Sequence, residues 1–142
     1  MQDVDRSSFE RIESIRRLRP DPAAARAAAG GKPRRAHIIG VCGTGMAAVL
    51  QLLKHYGFYV SGSDKAFYPP MGDVVRKAAD RIFSGYAAEN IEAGLDLVVI
   101  GNSVSRDNPE VEAAFSAGLP YASMPEVFAA LLIGDKADCT TS

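Results

Sequence analysis

The sequence predicts an α/β fold: a doubly wound parallel sheet of about five strands in a single domain. Three observations predict it. Strand-like and helix-like runs alternate from Ala36 to Ile133, the order that builds a parallel sheet with right-handed crossovers. The run LDLVVIG, residues 95–101, is almost wholly apolar, as a strand buried on both faces must be. Finally, Gly43-Thr44-Gly45-Met46-Ala47-Ala48 fits G-x-G-x-x-[G/A] between the first strand and first helix, and Asp64 stands 21 positions after Gly43. That is the outline of a Rossmann-like mononucleotide cradle. Glycines let the backbone approach a phosphate without a Cβ in the way. The following helix turns its N–H groups and positive end toward the anion, and an acidic residue ending the next strand can accept from ribose hydroxyls or a base edge.

Each element follows from its residues. AHIIGV is the first strand. A helix over about Thr44–His55 has Met46, Val49, Leu50 and Leu53 on its apolar side. FYVSGS is the second strand, followed by the proline-stiffened turn YPPM and a helix over about Gly72–Ala79. RIFSGY contains a short third strand and AAENIEAG a helical turn. After LDLVVIG, Asn108 is the N-cap and Pro109 the first residue of a helix that Gly118 ends. LPYAS is a fifth strand, and Pro125 starts a helix ending near Ile133. Ligands of such sheets bind at the carboxyl ends of strands, so the loops Cys42–Met46, Gly62–Tyr68 and Gly101–Asn108 should meet.

Residues 1–35 read as an N-terminal extension and linker. Phe9, Ile12 and Ile15 at three-residue spacing predict a short helix over about 7–18, and Pro20, Pro22 and Gly30-Gly31-Lys32-Pro33 mark the linker. Whether that helix docks on the body is open. Residues 36–134 form the nucleotide-binding domain, and 135–142 begin a linker to a further domain.

The 142 residues suffice for one domain burying roughly 70% of its unfolded surface. The 47% hydrophobic content excludes a disordered chain, and no apolar run reaches the ~18 residues of a membrane span. The polar start lacks a signal-peptide core. Cys42 and Cys139 are too few and too far apart for a disulfide framework or a zinc site. A reducing, cytoplasmic setting without membrane contact is the expectation. Residues 1–35 carry +4 and residues 36–142 carry −5. A basic arm on an acidic body is one form of nucleic-acid binder, but this arm lacks interleaved aromatics, so no nucleic-acid partner is expected. The oligomeric state is open.

GVCGTGM after a strand, GSD after the second, then YPPM, VVIGNSVSRDNPEVEAA and LPYASMPEVFAALL together resemble the N-terminal domain of the Mur ligases. These are cytoplasmic ATP-dependent enzymes that attach amino acids or peptides to UDP-N-acetylmuramate. The resemblance spans about Ala36–Ile133. Gly40–Met46, read as G-x-x-G-x-G-M, is similar to the branch acting directly on UDP-N-acetylmuramate. Within it, Cys42-Gly43-Thr44, Tyr68-Pro69-Pro70-Met71 and Ile100-Gly101-Asn102 are more similar to ligases of a recycled tripeptide than to ligases of L-alanine.

The resemblance implies three domains, for the UDP-sugar, for ATP and for the incoming amine. No G-x-x-x-x-G-K-[ST] occurs in this sequence, so the expectation is a fragment carrying the first domain, inactive alone. ATP and magnesium would serve the full-length enzyme, and the tripeptide or L-alanine would meet other domains. The resemblance further implies that Gly43, Thr44, Gly45 and Met46 offer backbone N–H groups to the diphosphate. Asp64, with Ser63 and Lys65, would contact ribose or uracil, and Asn102 and Ser103 would lie along the diphosphate or sugar. No side chain of the domain is expected to be catalytic, and none to bind a metal.

Duller readings stand beside these. The glycines can simply make a tight turn, Asp64 can cap a segment, and Met46 can plug the core. His37, His55 and Cys42 read as structural. Gly43–Ala48 with Asp64 would equally serve an NAD(P)-binding module of a dehydrogenase or redox-sensing regulator.

Overall fold

The computed structural model describes residues 10–13, 15, 34–43 and 45–133. Five strands form one sheet: β1 (Arg35–Ile39), β2 (Tyr59–Asp64), β3 (Arg81–Ser84), β4 (Leu97–Ile100) and β5 (Tyr121–Ser123). Their order is β3-β2-β1-β4-β5, and every pairing is parallel. The chain winds outward from β1 one way, then returns to β4 on its other side. The switch point therefore lies between β1 and β4, where such sheets open a crevice. The register levels the carboxyl edge, with Ile39 opposite both Ser63 and Ile100, and Ile100 opposite Ser123.

The helices are α1 (Met46–His55), α2 (Met71–Ala78), α3 (Pro109–Ser116) and α4 (Met124–Phe128), with a 3-10 turn at Ala88–Asn90 and a π-helical turn at Ala129–Ile133. Strand alternation divides the core between two faces. Ile38, Val60 and Val99 pack with Val49, Leu50 and Leu53 of α1 and Val127 of α4, while Ile39 and Val98 meet Val111 and Ala114 of α3. Asn108 caps α3 as expected, its side chain accepting the Glu110 N–H at 2.8 Å, with Pro109 directly after it. Ser123 and Glu126 form a reciprocal capping box on α4. The predicted helix to Ile133 is shorter as an α-helix, because its last five residues adopt the π-helical turn. Residues 10–13 and 15 are helical, and Ile15 sits fully buried in the main core with Ile12 packed against it. That segment therefore docks on the body. The remainder of the extension and residues 134–142 lie outside the described residues.

Candidate functional site

The three loops foreseen at the carboxyl edge do meet. Leaving β1, the chain turns at Gly40, whose N–H and that of Val41 both donate to Ser63 O at 2.8 and 3.0 Å. Tight turns follow, with Gly43 N–H donating to Gly40 O and Met46 N–H to Gly43 O, each at 3.0 Å. Gly45 then starts α1 with φ +81°, a left-handed conformation that glycine adopts without a steric cost. A Cβ there would also stand 2.8 Å from Met124 Sδ. Among the described residues no side chain caps α1, and its first turn holds no acidic residue, so no side chain of the helix itself offsets its positive end.

Asp64 ends β2 and ties this loop down. Its Oδ2 accepts the Cys42 N–H at 2.9 Å, and its Oδ1 accepts the Lys65 N–H at 2.7 Å. Asp64 and Lys65 line a cleft of about 330 Å³ together with Cys42, Gly43, Tyr68 and Ser103. Tyr68 is 76% exposed at its rim. A second cleft of about 280 Å³ opens over β4 and β5, where Asn102, Ser105 and Arg106 face Tyr121 and Glu126. The loop after β4 separates the two, with Ser103 on one side and Asn102 on the other.

Of the residues singled out from sequence, Gly43, Asp64, Lys65 and Ser103 gather in the first cleft, Asn102 lies in the second, and Gly45 is exposed beside the loop. Thr44 lies outside the described residues. Two assignments are corrected. The N–H groups of Gly43 and Met46 are spent on carbonyls inside the loop, and the Met46 side chain is buried in the core. Ser63 does not reach the cleft; it is fully buried and donates its hydroxyl to Glu110 Oε1 at 2.6 Å.

Ser63 belongs to a sealed polar cluster. His37 Nδ1 lies 2.7 Å from Ser61 Oγ, and its Nε2 lies 2.8 Å from Glu110 Oε1. Glu110 Oε2 accepts from Asn90 Nδ2 at 2.8 Å and from the Ala87 N–H at 3.2 Å. Burial alone would push the Glu110 carboxyl up. The hydrogen bonds from His37, Ser63 and Asn90, with the charge of His37, outweigh it and hold the group below its ordinary range. Ser61, His37 and Glu110 stand in the order of a hydrolytic triad, with serine and glutamate on opposite ring nitrogens, but His37 and Glu110 are wholly buried and Ser61 nearly so, so no substrate reaches them. The cluster is structural: it bolts α3, and with it the loop after β4, to β1 and β2.

Tyr86 was not singled out from sequence. Its hydroxyl lies over the switch point, 3.7 Å from where a Cβ on Gly40 would stand. Burial, then the carboxylates of Asp64 and Glu110, push it up to about 12, so it remains a hydrogen-bond donor at neutral pH. Its position just after β3 was the available signal. Cys42 is likewise held as a thiol, pushed up by burial and by Asp64 against a smaller opposing effect of Arg76.

This geometry has known counterparts. A model described as the Mur ligase family, catalytic domain, matches residues 35–136, which take in the whole sheet and its loops. The chain belongs to the Mur ligase family. It is 39% identical over 102 residues to the UDP-N-acetylmuramate–L-alanyl-γ-D-glutamyl-meso-2,6-diaminoheptanedioate ligase of Escherichia coli, covering 72% of this chain and 22% of that protein. It is 41% identical over 102 residues to the UDP-N-acetylmuramate–L-alanine ligase of an Arthrobacter strain, covering 72% of this chain and 21% of that protein. The crystal structure of a murein peptide ligase from Psychrobacter arcticus superposes with a TM-score of 0.66 at 34% identity, over 71% of this chain and 21% of that one. The chain thus spans about a fifth of the length of the Mur ligases it matches. No helix among the described residues is long and apolar enough to cross a membrane.

Proposed function

We propose that this chain is the UDP-N-acetylmuramate-binding domain of a cytoplasmic, ATP-dependent amide-bond ligase. In this reading the longer enzyme joins a tripeptide to that nucleotide sugar, with L-alanine as the alternative amine. The observation that carries the reading is the loop Gly40–Met46. It is clamped by Asp64 through the Cys42 N–H, borders the β2-side cleft with Cys42 and Gly43, and leads into a helix start without an acidic residue in its first turn. An anion at that end gains from the helix dipole. The diphosphate fits there, with the nucleoside over β2 beside Asp64, Lys65 and Tyr68, and the sugar toward Asn102 over β4 and β5. Gly43 and Thr44 are backbone walls in this assignment, Gly45 opens the helix end, and Ser103 borders the diphosphate from the β4 loop. Ser63 and Met46 support the loop from below.

The domain's own contribution is to hold one reactant in place, which can supply a large part of a rate enhancement without a catalytic side chain. Among the described residues, no group of three or more His, Cys, Asp or Glu is placed to hold a metal ion. With no phosphate-binding loop of the ATP type in the sequence, these residues do not fit ATP and magnesium, and no phosphoryl-transfer step is assigned to them. The peptide, the ATP and the metal belong to other parts of the longer enzyme.

Calorimetric titration of the chain with UDP-N-acetylmuramate, and with NADH as control, tests the proposal. Saturable binding of the UDP-sugar alone supports it. Binding of NADH without the UDP-sugar overturns it in favour of a dinucleotide module.

A further inference from the structure

The β5-side cleft is bordered by a residue from outside the family domain. The family match begins at residue 35, yet Arg11 lines this cleft. Its guanidinium grips Glu126 as a fork, Nε donating to Oε1 at 2.9 Å and Nη2 to Oε2 at 2.7 Å. The Glu126 side chain is only 8% exposed and that of Arg11 27%. This pair is partly shielded and bidentate, unlike the exposed single-contact pairs that contribute little. The same carboxylate accepts the Ser123 N–H at 3.0 Å, at the carboxyl end of β5. The guanidinium also lies 5.2 Å from the centre of the Tyr121 ring, and Tyr121 packs on Phe115 at 4.8 Å. Behind Arg11, buried Ile15 anchors the segment in the core. Arg11 thus joins the N-terminal segment, β5 and α4 into one wall. The loop after β4, with Asn102 and Arg106, is the opposite wall.

A ligand lying across the switch point puts one half over β2 and the other over the strands beyond β4. On the reading of the previous section, on which this inference rests, the β5-side half is the sugar. We propose that the segment preceding the family domain completes the sugar subsite. Arg11 is a positioning residue: it holds Tyr121 and Glu126 in place and so separates recognition of a UDP-sugar from recognition of bare UDP.

The test is calorimetry on the whole chain with two ligands, UDP and UDP-N-acetylmuramate. The proteins are wild type, Arg11→Gln and Arg11→Lys, with a thermal melt of each. For Arg11→Gln the expected result is an affinity for the UDP-sugar lower by about tenfold, with UDP affinity unchanged. Arg11→Lys restores only part of the loss, because an ammonium cannot reproduce the fork. Equal weakening of both ligands, or no change in either, overturns the inference and leaves Arg11 as a structural tie. If wild type binds the UDP-sugar no more tightly than UDP, the inference fails while the nucleotide reading stands. If wild type binds neither, both fail.

Discussion

Glu110 Oε1 lies 2.8 Å from His37 Nε2, and both side chains are wholly buried between β1 and α3. With Ser63, Asn90 and Ala87 also donating to it, the carboxylate collects its hydrogen bonds from three separate segments: β1, β2 and the 3-10 turn with its cap. A saturated carboxylate of this kind is an effective fixing point for the loop after β4, which runs directly into α3.

Replacing it should be costly. Glu110→Gln keeps the shape but turns amide hydrogens toward groups that donate. The expected loss is about 3 kcal/mol, the scale for breaking a buried charged pair, read from denaturant midpoints. The acid limb gives a second reading. The folded carboxyl is held below its ordinary value of 4.5, so its stabilisation is complete above that value and is lost as pH falls through the lower folded one. Wild type should therefore lose stability below about pH 4.5 more steeply than Glu110→Gln. Parallel acid limbs would mean that the buried carboxyl is not the ionised group described.

Asp64 holds the Cys42 N–H and also raises the Cys42 thiol. Alkylation at neutral pH, followed by peptide mapping to separate Cys42 from Cys139, should show Cys42 reacting more slowly than an unhindered thiol, because the thiolate is the reactive form. Asp64→Asn should speed the reaction by removing a nearby negative charge, while weakening UDP binding. Unchanged labelling in the variant would separate Asp64 from the thiol.

Gly45→Ala tests the amino end of α1. A side chain at φ +81° costs about 1–2 kcal/mol, and the new methyl meets the Met124 thioether at 2.8 Å, a flexible group that can step aside. A modest drop in denaturant midpoint is expected. The larger effect should be on ligand: UDP affinity falls by about tenfold, which corresponds to ~1.4 kcal/mol, because the methyl crowds the helix end. A variant destabilised as expected but binding UDP normally would move the diphosphate off this loop.

The fold was legible because its signals are local. LDLVVIG, the Asn108-Pro109 cap and the glycine turn each declare themselves within a few residues, and alternation fixes the layers. The site was legible in outline only. Ser63 and Asp64 are adjacent in β2 and so point to opposite faces; only one can look into the crevice, and strand alternation alone separates them. Glu110 was not legible, because its partners His37 and Ser63 stand 73 and 47 positions away and a glutamate early in a helix ordinarily reads as a dipole partner. Arg11 was hidden for the same reason, its partner Glu126 lying 115 positions on. The loop N–H groups of Gly43 and Met46 looked available because a glycine motif does not state which donors its own turns consume.

Tyr86 offers the sharpest check on where the anion sits. Its hydroxyl stands over Gly40, beside the loop that should carry the diphosphate, and is pushed up to about 12, chiefly by burial and then by Asp64 and Glu110. A neutral phenol donates to phosphate oxygens; a phenolate would repel them. Tyr86→Phe should thus weaken UDP binding by several-fold, about the value of one hydrogen bond to a charged group, with little change in melting temperature. The contribution should also persist as pH rises past 10, where an ordinary tyrosine ionises, so the wild-type to Tyr86→Phe affinity ratio should stay constant from neutral pH to that point. A ratio that collapses near pH 10 would place the hydroxyl in water. A ratio of one throughout would put the diphosphate beyond its reach, on the far side of the loop after β4.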